Sequence, residues 1–232
     1  MVGKIIGGRK SYSIEGPRAP DGAGPGLYTR AMRALLLALA LAAASPAARA
    51  QPVRSIELPG RVYQVNGAPA QLLGFGTYKD VLVHPQDSGL VVKVFRNNLA
   101  DGLTEKRAEV SALKTLVPIG AAPKLVDHGA VALNGAPTGF LVQERVRGLT
   151  LERPTPTKLA ETKLLFQKLA KARVELVDVA SLVKLRENIM VGETDSGGFQ
   201  AWLVDPDIKK SERTAAELSK FYDGLLVRLA AR

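Results

Sequence analysis

QLLGFGTYKDVLVHPQDSGLVVKVFR, residues 71–96, is the stretch on which the reading of this chain turns. Two apolar runs flank His84-Pro-Gln-Asp-Ser-Gly89, a segment of turn formers, which predicts a pair of antiparallel strands. Gly74 and Gly76, near the start of the first, would let backbone come close to a ligand. Lys93 falls within Val91-Val92-Lys93-Val94-Phe95. An ammonium among apolar strand residues needs an anionic partner, a bound anion, or an edge position from which to snorkel to water. Glu109, sixteen residues further on in a predicted helix over 101–117, is the nearest candidate partner. It reads equally as part of the solvated face that carries Glu105, Lys106 and Arg107.

On the amino-terminal side, residues 51–67 end at Asn66-Gly67 and predict a leading strand or hairpin. Before them, Met32-Arg33 leads into an Ala/Leu run over 34–44, followed by Ser-Pro and Ala48-Arg49-Ala50. A basic start, a short apolar centre and an A-x-A ending predict a signal peptide over 32–50, cut before Gln51, and hence a secreted or periplasmic mature chain. The run is short for a bilayer span, and no second apolar stretch would anchor the mature chain. Residues 1–31, rich in Gly, Pro and Arg, predict disorder or an extension upstream of the true start at Met32. The whole chain carries thirty-two Lys/Arg against twenty-two Asp/Glu, a formal charge of +10. Without residues 1–50 the balance is twenty-five against twenty, which argues against nucleic acid as the partner. The chain has no cysteine, which excludes disulfides and thiolate metal sites.

Downstream, residues 122–129 predict a short strand leaving a turn, and 130–133 with 140–146 a hairpin around Asn134-Gly135. After a Pro/Thr-rich link, a helix is predicted from Lys158 to about Leu176, with Leu165, Phe166 and Leu169 on one face. Then come Glu187-Asn188-Ile189-Met190-Val191 and, seventeen residues beyond Asn188, Asp205 at the end of the apolar run 201–204. Asn188 and Asp205 read either as polar tips of a surface hairpin or as hard oxygen donors of the type Mg²⁺ takes. A last helix is predicted from Lys209 to Arg232, with Leu218, Tyr222, Leu225 and Leu229 on one face.

In this order the glycine-bearing strand, strand lysine and helix glutamate resemble the amino-terminal lobe of protein kinases. LVQERVRGLTL at 141–151 resembles the kinase hinge, and Asn188 with Asp205 resembles the kinase metal-binding pair. The resemblance covers residues 72–207 and, at its truncated end, is to the minimal bacterial effector kinases of the OspG type. It implies an α+β, protein-kinase-like fold: a five-stranded antiparallel lobe with one helix over 51–146, and a truncated, mainly helical lobe over 147–232. It also implies ATP and Mg²⁺ as cofactors and phosphoryl transfer to a Ser/Thr hydroxyl of a protein substrate. Gly74 and Gly76 would cover phosphates, Lys93 would contact them and Glu109 would hold Lys93. Gln143 would take the gatekeeper position, the backbone of Glu144 and Val146 would face adenine, and Asn188 and Asp205 would hold the ion.

Four positions depart from the family pattern. Lys79 stands where a third glycine is usual, Pro206 and Asp207 follow Asp205 in place of Phe and Gly, and Val183 stands where the catalytic aspartate is expected. Asp178, ten residues before Asn188, is the candidate base if the loop is longer. Without a base, the chain would be a pseudokinase acting as a nucleotide- or protein-binding module. If the glycines and carboxylates are structural, it is an unrelated exported α+β protein. Export itself implies that an active enzyme would meet ATP, and its substrate, in a host cell.

Overall fold

The computed structural model describes residues 51–96, 99–177 and 179–231, with backbone alone at 99–101. The predicted extension (1–31), the predicted signal peptide (32–50) and Asp178 lie outside the described residues. Over the described residues the fold is mixed α+β, with four α-helices and several antiparallel sheets. Three short strands come first: β1 (Ile56–Glu57), β2 (Tyr63–Val65) and β3 (Ala68–Ala70). The 71–96 stretch then forms three strands rather than the expected two: β4 (Leu72–Phe75), β5 (Lys79–His84) and β6 (Asp87–Phe95). Gly76 N–H donates to Lys79 O at 2.8 Å and closes a tight turn that divides the first apolar run.

Helix α1 (Leu99–Leu116) follows, then β7 (Leu125–Leu133) and β8 (Ala136–Glu144). Residues 125–133 are thus one continuous strand, because Asn134 and Gly135, both at positive φ, supply the single turn before β8. These five strands form one antiparallel sheet in the order β4-β5-β6-β8-β7. β6 and β8 are central and buried on both faces along most of their length, while β7 alternates half-buried and exposed residues as an edge strand should. One face packs Leu82, Val92, Val94, Phe140 and Val142 against Ile56, Tyr63 and Val65 of the small β1-β2-β3 sheet. The other turns Phe95 and Leu141 toward Leu113 and Leu116 of α1, in a core that runs on into the carboxy-terminal half.

That half contains β9 (Arg147–Thr150), α2 (Pro156–Lys171), β10 (Val174–Leu176), α3 (Leu182–Asn188), β11 (Ile189–Glu193), β12 (Gln200–Leu203), β13 (Ile208–Lys210) and α4 (Ala215–Ala230). Two of the expected helices are shorter than predicted. The helix from Lys158 stops at Lys171 because Arg173 turns left-handed (φ 55) and residues 174–176 pair with 208–210. The last helix begins at Ala215, behind a capping box in which Thr214 and Glu217 bond each other's backbone N–H. β9 pairs with β11 and β11 with β12, making a three-stranded sheet. Tyr222 of α4 stacks on Phe166 of α2, at 4.8 Å between ring centroids. Its hydroxyl donates to Val174 O at 2.8 Å and accepts from Leu176 N at 3.2 Å, which ties β10 to the helical core.

Two stability measurements check this packing. Tyr222→Phe leaves a buried N–H and a buried carbonyl unpaired, and is expected to lower urea stability by about 1–3 kcal/mol. His84, 2% exposed, is held by burial below the usual imidazole value of 6.5, only partly offset by Asp87 and the Gln51 backbone. A depressed imidazole takes up its proton more readily in the unfolded chain, so stability should decline as pH falls below 6.5. A His84→Phe variant should lose that part of the pH dependence, as read from melting temperature against pH.

Candidate functional site

Strand parity builds one wall of the site. Lys79 lies opposite Phe95 and Val81 opposite Lys93 in the β5–β6 register, while Val91 faces Gln143 and Lys93 faces Leu141 across β6–β8. With a period of two, Lys79, Val81, Val91, Lys93, Phe95, Leu141 and Gln143 all point to the α1 side of the sheet. Helix α1 brings Glu109 beneath them, itself buried at 4% exposure. Lys93 Nζ, 3% exposed at the residue level, donates to Glu109 Oε1 and to the Val204 carbonyl. The strand lysine and the helix glutamate therefore do meet. The edge-snorkelling alternative for Lys93 and the solvated-face alternative for Glu109 are both set aside by their burial.

Sequence reasoning did not foresee the second lysine. Lys79 Nζ donates to Glu109 Oε2 and to Asp205 Oδ1, with its ammonium 5.6 Å from the Phe95 ring centroid. Two ammoniums and two carboxylates thus form one chain, Asp205–Lys79–Glu109–Lys93. Burial pulls Lys79 down, but Glu109 and Asp205 outweigh it and leave the ammonium above the usual lysine value. For Lys93 burial wins, and with the nearby Lys79 charge it holds this ammonium below the usual value despite Glu109. Burial would raise Asp205, yet Lys93 and Lys79 together hold its carboxyl below the usual range. The signal was available: Lys79 is in phase with Val81 on a strand whose other face carries Asp80 and Leu82.

These groups open onto a cavity of about 500 Å³. Leu73, Gly74 and Val81 line it from the five-stranded sheet, residues 143–148 from the end of β8 and the start of β9, and Met190, Val204 and Asp205 from the carboxy-terminal half. Gln143 is 2% exposed, and its Oε1 is buried without a hydrogen-bond partner. The strand end is fixed by Glu144 N–H on Lys124 O (2.9 Å) and Arg145 N–H on Gly89 O (2.7 Å). The Glu144 carboxylate accepts from Ser196 Oγ at 2.7 Å. Gly148 and Gly192 face each other in the β9–β11 pair. A Cβ on Gly148 would fall 2.1 Å from Val191 O and one on Gly192 2.3 Å from Arg147 O, so only glycine permits this approach beside the cavity.

Of the residues singled out from sequence, Lys93, Gly74, Glu144, Val146 and Asp205 line this one cavity, with Glu109 directly behind Lys93 and bonded to it. Gly76 does not line it and instead closes the β4–β5 turn, where its carbonyl accepts from Arg96. Neither Gly74 nor Gly76 has a positive φ. Asn188 ends α3, and its carbonyl accepts from Val204 N at 2.9 Å, next to Asp205, but its side chain does not line the cavity. Val183 sits in α3 and is 65% exposed. Among the described residues, no group of three or more His, Asp or Glu is placed to hold a metal ion. Of the two residues expected to hold Mg²⁺, Asp205 is bonded by Lys79 and Asn188 is not among the residues lining the cavity.

Because Glu109 serves two ammoniums, its loss should cost more than the loss of either lysine. Glu109→Leu is expected to destabilise the fold by about 3–5 kcal/mol, as a buried charge pair does when one partner is removed. Lys93→Met should cost clearly less, since Glu109 keeps Lys79; equal urea midpoints for the two variants would contradict the shared-carboxylate geometry. The chain matches no protein-family model and no curated protein.

Proposed function

We propose that this chain is a minimal protein-kinase-like protein whose cavity binds ATP. The observation that carries the reading is the buried Lys93–Glu109 pair opening onto a cavity that also reaches Asp205. Two ammoniums at one end suit a polyphosphate, while Leu73, Val81, Val91 and Met190 supply apolar walls for a flat base. The unpartnered Gln143 Oε1 calls for a donor on the ligand, and the exocyclic amine of adenine is one. The strand order β4-β5-β6-β8-β7, with its single helix after the third strand, supports the kinase likeness, as does the lysine–glutamate pair between strand and helix.

In the catalytic form of this reading, the γ-phosphoryl group passes to a Ser/Thr hydroxyl of a protein. The bond from the γ-phosphorus to the β–γ bridging oxygen breaks as the hydroxyl oxygen bonds to that phosphorus, and the hydroxyl proton goes to a base, for which Asp178 is our candidate. The lysines neutralise and orient the phosphates, with Glu109 fixing Lys93. An exported form would do this in a recipient cell. A second reading, a nucleotide-binding module without turnover, is favoured by the engagement of Asp205 with Lys79 and by the solvent-facing Val183 in α3.

ATP added to the full chain should raise its melting temperature, and radiolabel transfer to a mixed protein substrate separates the two readings. Lys93→Met should keep a cooperative melt and lose both the ATP-induced shift and any transfer. An undiminished shift in that variant would contradict the assignment.

A further inference from the structure

Lys79 lines the same cavity as Lys93 and, unlike Lys93, bonds a carboxylate that is partly open to solvent. The β5–β6 register turns it inward, its side chain is 14% exposed, and it spans Glu109 and Asp205. Asp205 keeps 45% of its side-chain surface accessible, so the Lys79–Asp205 bond, unlike the Lys93–Glu109 bond, lies at the open side of the network. Lys93 is held by a buried carboxylate and a backbone carbonyl, whereas Lys79 could exchange Asp205 for an incoming phosphate and keep Glu109. Asp205 already carries Lys79, and Glu109 carries both lysines, so a divalent ion would compete with an ammonium for either carboxylate.

We propose that Lys79 is a built-in cation, through which the cavity binds a nucleoside polyphosphate without a divalent metal. This inference rests on the nucleotide reading and deepens it. Lys79 and Lys93 would both face the phosphates, and two ammoniums would supply the neutralisation for which a metal is otherwise recruited. A metal ion at Asp205 would compete with Lys79 for that carboxylate, which Lys79 bonds through Oδ1. Gln143, opposite Val91 and on the same sheet face as Lys93, would fix the base end of the same ligand through its unpartnered Oε1.

The test is titration calorimetry of the full chain with ATP, in EDTA and again in excess MgCl₂. The wild type is expected to bind with similar affinity in both. Lys79→Met should weaken binding in EDTA about tenfold or more, the loss of one charge-assisted contact, and magnesium should restore much of it. Lys79→Arg, which keeps the cation, should retain metal-free binding better than Lys79→Met. Wild-type binding only in magnesium, or equal EDTA affinities for wild type and Lys79→Met, would overturn this inference and leave the nucleotide reading standing. No binding in either buffer would overturn the nucleotide reading itself, and this inference with it. The wild-type comparison needs no variant, so it decides the matter even if Lys79→Met does not fold.

Discussion

An ammonium buried in the middle of a β-sheet is the constraint on which the rest of this structure depends. Lys93 has apolar neighbours on its own strand and 3% of its surface exposed, and a lone charge there would cost several kcal/mol. Glu109 supplies the counter-charge from α1, and the Val204 carbonyl supplies a second acceptor from just beyond β12. One side chain thus ties the central strand, the helix beneath it and the carboxy-terminal half together. The register of α1 on the sheet is fixed by electrostatics as well as by Leu113 and Leu116.

The outer sheet makes the inner wall dependable. β1, β2 and β3 cover the far face of the five strands, with Ile56, Tyr63 and Val65 packed on Leu82, Val92 and Val94. Tyr63 adds a hydroxyl bonded to Asp80 at 2.6 Å, and Asp80 pairs with Arg96 at 3.1 Å. With both faces covered, a one-residue slip of β5 or β6 would exchange Lys79 and Lys93 for Asp80 and Val92 or Val94, placing a carboxylate in the cavity and ammoniums in the outer core. The pattern of the strands therefore specifies the site as well as the fold.

Much of this was readable from the residues. A charge inside Val-Val-Lys-Val-Phe demanded a partner, and Glu109 met that demand from within the predicted helix. The strands around His84–Gly89 and Asn134–Gly135 followed from turn chemistry. What escaped was decided by distant pairing. Residues 174–176 continue a helix-compatible sequence, yet the ladder with 208–210 and the left-handed Arg173 make them a strand. Thr214-Ala-Ala-Glu217 did carry a local helix-start signal, and it marks the true beginning of the last helix. Lys79 was read only as a missing glycine, because its two carboxylate partners lie thirty and 126 residues away.

The central claim is that the space between Lys93, Gln143 and Asp205 receives a nucleotide with its base at the strand end and its phosphates at the lysines. Photolabelling of the full chain with 8-azido-ATP, followed by peptide mass spectrometry, tests this most directly. Label is expected on peptides containing residues 143–148 or 73–81, competed away by unlabelled ATP. Label confined to other peptides, or label that ATP does not compete, would contradict it.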